Sequence, residues 1–194
     1  MVLFLQTTHL DLVATTLLHV DAEIAGREQL AKLLGVAVPR DWPPVGVERG
    51  ALDHFRSRLA AEGQASTGWY GWYAIARRTA LQPPTLVGGA SFFGPPDANG
   101  AVELAFAVLP SFRGRGHATE MAAALVDHAL GQPRVDRIVA HARATDRPTL
   151  AVLVRCGFIL ATPEPENGLM RCERSRHAPV EEAEEDEPSP DDDE

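Results

Sequence analysis

Cysteine and lysine are both scarce in this sequence. The 194 residues include only two cysteines, Cys156 and Cys172, and they lack the CxxC spacing of zinc or redox sites. This argues against a disulfide scaffold or a metal site and fits a reducing cytoplasm, where we expect the protein to work. Lys32 is the single lysine among 18 basic residues. No basic stripe with interleaved aromatic residues occurs, so direct nucleic-acid binding is not indicated.

Long apolar runs are also missing. No stretch of about 18 apolar residues occurs, which excludes a membrane-spanning helix. The apolar start, MVLFLQTTHLDL, has no basic residue before it and no small-residue cleavage site after it, unlike a secretory signal. Hydrophobic residues still make up 45% of the chain. The composition and length therefore suit one globular domain with a real core.

The acidic charge is concentrated at the C-terminal end. Ten of the 27 acidic residues lie in 181–194, which contains no basic residue. The other 17 acidic residues almost balance the 18 basic ones. We therefore predict a domain over residues 1–176 and an acidic, disordered tail over 177–194. A purely solvated tail and a contact with a basic partner both remain open.

The spacing of apolar residues predicts a mixed α+β domain. Alternation predicts strands, and apolar positions three and four apart predict helices. We expect three consecutive antiparallel strands within 69–109, because strong turn residues separate alternating segments there. The other predicted elements are a strand at 9–15, helical residues 16–35 interrupted near Gly26, a helix at 50–62, a helix at 118–129, a strand at 135–142, a helix at 148–155, and strands at 158–161 and 169–173.

The segment LPSFRGRGHAT, between the clearest strand and the clearest helix, favours anion binding. Gly114 and Gly116 permit a tight turn whose N–H groups converge. The following helix adds unpaired N–H donors and the positive end of its dipole. Arg113 and Arg115 add charge, and Thr119 adds a hydroxyl. A diphosphate suits such a turn, although a plain tight connection is the alternative.

Two common diphosphate motifs do not match. A dinucleotide-binding loop needs a third glycine and follows the first strand of a βαβ unit, whereas here Thr119 takes that position after antiparallel strands. A Walker A loop needs Gly-Lys-Ser/Thr, and this segment contains no lysine. A nucleotide-dependent enzyme is therefore not indicated.

The same segment resembles a known family. RGRGHA at 113–118 matches the Arg/Gln-x-x-Gly-x-Gly/Ala signature of the GNAT N-acetyltransferases. VELAFAVLP before it and RATDRPTLAVLVRCGF after it are similar to further family blocks, most of all in the branch with the Rim-type ribosomal-protein N-acetyltransferases. The resemblance implies the GNAT acyl-CoA N-acyltransferase fold, a central, mostly antiparallel sheet with a splayed parallel strand pair and flanking helices. It also implies acetyl-CoA as co-substrate and a primary amine as acceptor.

The resemblance assigns residues to acetyl-CoA binding. The backbone of Phe106, Ala107 and Val108 is expected to pair with the pantetheine amides. Asp146 stands where the family has an Asn, and it can accept a hydrogen bond from a pantetheine amide. The diphosphate is expected to lie on the turn and the helix start, formed by Arg113, Gly114, Arg115, Gly116, His117, Ala118 and Thr119. A solvated charge is the alternative for Arg115.

The resemblance also suggests catalytic residues. The attacking amine must lose a proton, and Glu103 is the candidate base, with a pKa that burial beside apolar residues would raise. A structural carboxylate is an alternative for Glu103, and the proton could equally leave through waters. Thr149 stands where the Rim-type branch has a Ser suited to the leaving thiolate, although it could equally be a helix cap. Leu153 stands where many members have a Tyr acid.

Aromatic residues point to an acceptor site without defining the acceptor. Trp69, Tyr70, Trp72 and Tyr73 could line the acceptor cleft or fill the core, and Trp42 is a candidate wall of that cleft. A peptide N-terminus and a small-molecule amine are both open as acceptors, and so is a homodimer. The absent Tyr and the Asn-to-Asp change keep a second class open, a non-catalytic acyl-CoA-binding or interaction protein.

Overall fold

Eight strands and five helices form the described part of the chain. The computed structural model of the protein describes residues 3–44, 49–161 and 168–176. The predicted tail over 177–194 lies outside the described residues. The strands are Phe4–Gln6 (β1), Leu10–Ala14 (β2), Gly71–Ala76 (β3), Thr85–Phe92 (β4), Ala101–Val108 (β5), Arg137–Arg143 (β6), Ile159–Leu160 (β7) and Leu169–Ser175 (β8). The helices are Leu17–Ala25 (α1), Arg27–Leu34 (α2), Arg49–Glu62 (α3), His117–Leu130 (α4) and Arg147–Arg155 (α5).

The strands form one mixed sheet in the order β1-β2-β3-β4-β5-β6-β8-β7. Neighbouring strands are antiparallel except β5 and β6, which run parallel. The prediction of an α+β domain with a mostly antiparallel sheet and one parallel strand pair is therefore confirmed.

The parallel pair separates soon after it begins. Only Ala101, Val102 and Glu103 of β5 pair with β6, opposite residues 137–139. From residue 104 to Val108, β5 remains paired with β4 but not with β6. This is the predicted splay, and it opens a gap beside the second half of β5.

Each face of the sheet is covered by different helices. Alternation along β5 turns Val102, Leu104 and Val108 toward α4 and α5, in a core shared with Met121 and Leu153. On the opposite face, α2 packs against side chains of β3 and β4 in one smaller cluster, and residues of α1 and α3 pack against Tyr70, just before β3, in another. The predicted apolar face of α4 is confirmed by the burial of Met121, Ala122, Leu125, Val126 and Ala129.

Element positions agree with the sequence prediction except at the start of the chain. Gly26, at φ 129°, separates α1 from α2 where the break was expected. The sequence analysis did not predict β1, because three residues at a sheet edge are too few to show an alternation. β1 pairs with β2, Phe4 opposite Val13.

Candidate functional site

Two cavities share part of their lining at the second half of β5. The turn cavity, about 510 Å³, lies between residues 112–119 and the start of α5. The sheet cavity, about 350 Å³, lies over β3, β4 and β5 beneath α1 and α3. Phe106 and Ala107 line both cavities. The splayed half of β5 is therefore part of the wall of both cavities.

The turn cavity brings together ten of the eleven residues assigned to acetyl-CoA. These are Phe106, Ala107, Val108, Arg113, Gly114, Gly116, His117, Ala118, Thr119 and Asp146, and Thr149 lines the same cavity. The remaining one, Arg115, does not line it. Its guanidinium donates to the Ser111 carbonyl at 3.1 Å and lies 5.3 Å from the centroid of the Phe112 ring.

The glycine turn has free donors and free space. Gly114 and Gly116 have φ of 72° and 83°, a region that suits glycine. Among the described residues, no atom lies within 4 Å of a Cβ built at either glycine. None of the N–H groups of residues 114–116 has an acceptor within the described chain. Gly116 is also the N-cap of α4, so the helix adds its own unpaired donors.

His117 offers a further unpaired polar atom at this helix start. Its Nδ1 is buried and has no hydrogen-bond partner in the part of the chain that the structure describes. Burial lowers the pKa of His117, outweighing the opposite effect of the Glu120 charge. The imidazole is therefore neutral at neutral pH, and it can donate one hydrogen bond to an anion.

Arg113 supports the strand end that faces the turn. Its Nε donates to the Val108 carbonyl at 3.0 Å, at the last residue of β5. The guanidinium thus ties the turn to the splayed strand while Arg113 still lines the turn cavity.

Asp146 and Thr149 form a helix cap beside the turn cavity. Asp146 is the N-cap of α5, and its Oδ1 accepts from the Thr149 N–H at 3.2 Å. The Thr149 hydroxyl donates to Asp146 Oδ2 at 2.8 Å. The capping oxygen thus belongs to Asp146, and the Thr149 hydroxyl is its partner. Leu153 is fully buried in the core, as an apolar residue in that position should be.

Glu103 pairs with His141 at the point where β5 leaves β6. Its Oε1 lies 2.9 Å from Nδ1 of His141. The expected burial of Glu103 is wrong, because 44% of its side chain is exposed. The physical reason is its position on the sheet face that no helix covers at this end. Glu103 lines neither cavity, but Ala105, two residues along the same face, lines the sheet cavity.

Aromatic side chains serve both of the roles left open by the sequence. Trp42, Trp72 and Tyr73 line the sheet cavity. Tyr70 is buried in a core cluster with residues of α1 and α3, and Trp69 packs against the core. Trp42 therefore lines a cavity, and its role as a wall of the acceptor cleft stays a prediction.

The sequence analysis missed a carboxylate in the sheet cavity. Glu23 of α1 accepts hydrogen bonds from Trp42 Nε1 at 2.6 Å and from the Tyr73 hydroxyl at 2.5 Å. Burial raises the pKa of Glu23, and the bonds from Tyr73 and Trp42 partly oppose this. Burial, followed by the charge of Glu23, raises the pKa of Tyr73, which therefore stays a donor. This cluster could not be predicted from the sequence, because Trp42 and Tyr73 lie 19 and 50 residues away from Glu23 along the chain.

Residues 3–44, 49–161 and 168–176 contain neither a metal-binding cluster nor a membrane-spanning helix. Within these ranges, no group of three or more His, Cys, Asp or Glu side chains could hold a metal ion. None of the described helices is long and apolar enough to cross a membrane.

The model of the Acetyltransferase (GNAT) domain matches residues 16–159. The chain belongs to the GNAT family. It is 30% identical over 156 residues to the uncharacterized N-acetyltransferase YjdG of Bacillus subtilis (strain 168), covering 80% of this chain and 89% of that one. As a member of this family, it is an acetyl-CoA-dependent acyltransferase.

Solved structures share the fold of this GNAT protein. One is RimL, a ribosomal L7/L12 alpha-N-protein acetyltransferase in complex with coenzyme A, with a TM-score of 0.61, 20% identity, and coverage of 89% of this chain and 98% of that one. Another is the ribosomal-protein-S5-alanine acetyltransferase from Vibrio fischeri, with a TM-score of 0.60, 12% identity, and coverage of 90% and 97%.

Proposed function

We propose that the protein transfers the acetyl group of acetyl-CoA to a primary amine, either a peptide N-terminus or a small-molecule amine, by direct attack. The observation that carries this proposal is that Phe106 and Ala107 line both cavities, beside the strand half that β6 leaves free. One cavity offers unpaired N–H donors, and the other offers an apolar, aromatic-walled space. Acetyl-CoA supplies the activated acetyl group as a thioester.

The turn cavity has the donors that a diphosphate requires. Gly114 and Gly116, whose N–H groups are free, line it together with His117 at the start of α4, whose Nδ1 is unpaired among the described residues. Phe106, Ala107 and Val108 present backbone groups along the gap, where a pantetheine arm can pair with them. Asp146 and Thr149 close the opposite wall.

Two side chains are assigned to the reaction, one to accept the proton of the amine and one to stabilise the leaving sulfur. An acceptor amine must lose a proton as its nitrogen bonds to the acetyl carbon, and Glu103, hydrogen-bonded to His141, is the proposed acceptor of that proton. The C–S bond breaks, and the sulfur leaves with the electron pair. The Thr149 hydroxyl is proposed to donate a hydrogen bond to that sulfur, which requires it to rotate away from Asp146.

Other parts of this proposal concern the chain as a whole. A domain over residues 1–176, an acidic tail after it, and a cytoplasmic location stay predictions, the last supported by two buried, unpaired thiols. RimL, which acts on a ribosomal protein's α-amine, supports the peptide alternative by its fold alone.

The experiment has a binding arm and a transfer arm. Calorimetry of the full chain with coenzyme A should show saturable binding. Acetyl-CoA with a panel of peptides and small primary amines should then show amine-dependent thioester loss and acetylated product by mass spectrometry, with N-acetylated peptides as blanks. A folded protein that does not bind coenzyme A would contradict the proposal. Binding without transfer to any amine would favour the acyl-CoA-binding alternative.

A further inference from the structure

The carboxylate of Glu23 is the one acidic group among the described residues that line the sheet cavity. Each of its oxygens accepts one hydrogen bond from a neutral donor, Trp42 Nε1 or the Tyr73 hydroxyl. No basic side chain in the described ranges forms an ion pair with it. A carboxylate withdrawn from water without a cation is unfavourable, so a cation in the cavity would stabilise it.

The surroundings of Glu23 suit an organic cation. The rings of Trp42 and Tyr73 have centroids 5.9 Å apart, and both residues line the cavity beside the carboxylate. Aromatic faces attract ammonium and guanidinium groups, most strongly where water is excluded. Tyr73 is only 3% exposed, and its hydroxyl holds the carboxylate in place.

The sheet position of Tyr73, whose hydroxyl holds Glu23, is well separated from that of Glu103. Tyr73 lies opposite Gly89, and Gly89 lies opposite Ala107, so these three form one row across the sheet. Glu103 precedes Ala107 by four residues on β5, two strands away from Tyr73. At about 3.3 Å per residue and about 4.8 Å between strands, Tyr73 and Glu103 are on the order of 15 Å apart.

We infer that Glu23, held by Trp42 and Tyr73, binds a positively charged group of the acceptor other than the amine that is acetylated. The acceptor class is then a molecule with two cationic groups, the reacting amine near the splayed strand and the second one beneath α1. This inference rests on the proposed function, because it takes the sheet cavity as the acceptor site.

The test compares ligands that differ only at the distal group. The probes are α,ω-diamines of four to ten carbons, each paired with the amino alcohol of equal length, and a peptide with a free N-terminus carrying either lysine or norleucine. Calorimetry measures their binding to the full chain at saturating coenzyme A. The variants are Glu23→Gln and Tyr73→Phe, and the matched control is Glu28→Gln, which removes the same charge at an exposed position of α2.

We expect the wild type and Glu28→Gln to bind the best diamine, or the lysine peptide, at least tenfold more tightly than the matched amino alcohol or norleucine peptide. Glu23→Gln should reduce this ratio to about one, and Tyr73→Phe should give an intermediate ratio. A preference seen only among the diamines identifies a polyamine as the source of the cation, and one seen only among the peptides identifies a peptide.

A wild type without preference for the second charge overturns the inference, and so does a preference that survives Glu23→Gln. Coenzyme A affinity and thermal stability are measured for each variant, so that a folding defect is recognised. Failure of the wild type to bind coenzyme A contradicts the proposed function instead, and the two failures are thereby distinguished.

Discussion

Glu103 and His141 are joined by a hydrogen bond of 2.9 Å at the last pairing before β5 and β6 separate. An ionised carboxylate can only accept, so this bond requires the proton on Nδ1 of His141. In a neutral ring, Nε2 is then the unprotonated nitrogen. In that form the pair offers two proton-accepting atoms next to the gap in the sheet, and the proposed reaction needs one.

The first prediction concerns turnover in Glu103→Gln. The amide retains the shape but does not take a proton, so kcat should fall about 100-fold or more. The dissociation constant of coenzyme A should stay within twofold, because Glu103 does not line the turn cavity. Steady-state kinetics and calorimetry measure the two quantities.

The exposed Glu28→Gln serves as the control for loss of one negative charge. A double variant with His141→Gln should be no worse than Glu103→Gln alone if the two groups act as one unit. A kcat within twofold of the wild type in Glu103→Gln would show that this carboxylate has only a structural role.

The second prediction concerns the glycine turn and compares Gly116→Ala with Gly35→Ala. Both glycines have a left-handed backbone conformation. A Cβ added at either would have no described atom within 4 Å. Each alanine should therefore lower the free energy of unfolding by about 1 kcal/mol. Gly116 lines the turn cavity, whereas Gly35 ends α2 outside both cavities.

Only Gly116→Ala should weaken coenzyme A binding, by about tenfold, because the new methyl group occupies space over the free N–H donors. Denaturation measures the stability loss, and calorimetry measures the affinity. Equal affinity in the two variants would mean that this turn does not hold the ligand.

Much of the turn cavity could be predicted because its signals are local. Gly114 and Gly116, the preceding strand and the following helix are contiguous in sequence, and the positive φ values need glycine. The one exception is Arg115, whose charge the sequence placed at the ligand. The ring of Phe112 and the Ser111 carbonyl hold the guanidinium instead. Residue types alone do not show whether an arginine contacts a ligand or such neighbours in its own turn.

The acceptor side could not be predicted in the same way. A carboxylate on a short amphipathic helix looks like any solvated charge, and only the fold brings Glu23 to Trp42 and Tyr73. The exposure of Glu103 likewise depends on how far the helices extend over the sheet. Both features arise from tertiary packing, which has no fixed spacing in the sequence.

The third prediction separates the hydroxyl of Thr149 from its shape. Thr149→Val removes the hydroxyl but keeps the branched side chain and the N–H bond to Asp146. We expect kcat to fall about tenfold, with coenzyme A affinity within threefold, because the leaving sulfur loses a donor. Thr149→Ser keeps the donor and should retain most activity. A Val variant that turns over as fast as the wild type would mean that the hydroxyl takes no part in the reaction.

The fourth prediction concerns acid stability and the carboxylate of Glu120, which ties α4 to the β1–β2 connection. Oε1 accepts from the Thr7 hydroxyl and from the His9 N–H, both at 2.5 Å, and Oε2 lies 3.0 Å from Nδ1 of His9. Burial alone would raise the pKa of Glu120. The hydrogen bonds from Thr7 and His9 outweigh it and lower the pKa from 4.5 to about 2.

A lowered folded-state pKa stabilises the protein where the carboxylate is ionised in both states. The contribution of Glu120 should therefore be complete above pH 4.5 and be lost as the pH falls toward 2, where the folded protein also binds the proton. Urea denaturation from pH 6 to 2 should show Glu120→Gln less stable than the wild type by on the order of 1 kcal/mol at pH 6.

That difference should shrink as the pH is lowered through the same range, whereas the exposed Glu28→Gln should track the wild type throughout. The Gln variant can still accept a hydrogen bond from the His9 N–H through its amide oxygen. The link between α4 and the β1–β2 connection therefore keeps its geometry and loses only its charge. A stability difference that stays constant from pH 6 to 2 would therefore mean that the charge of Glu120 contributes nothing and that the side chain acts through packing alone.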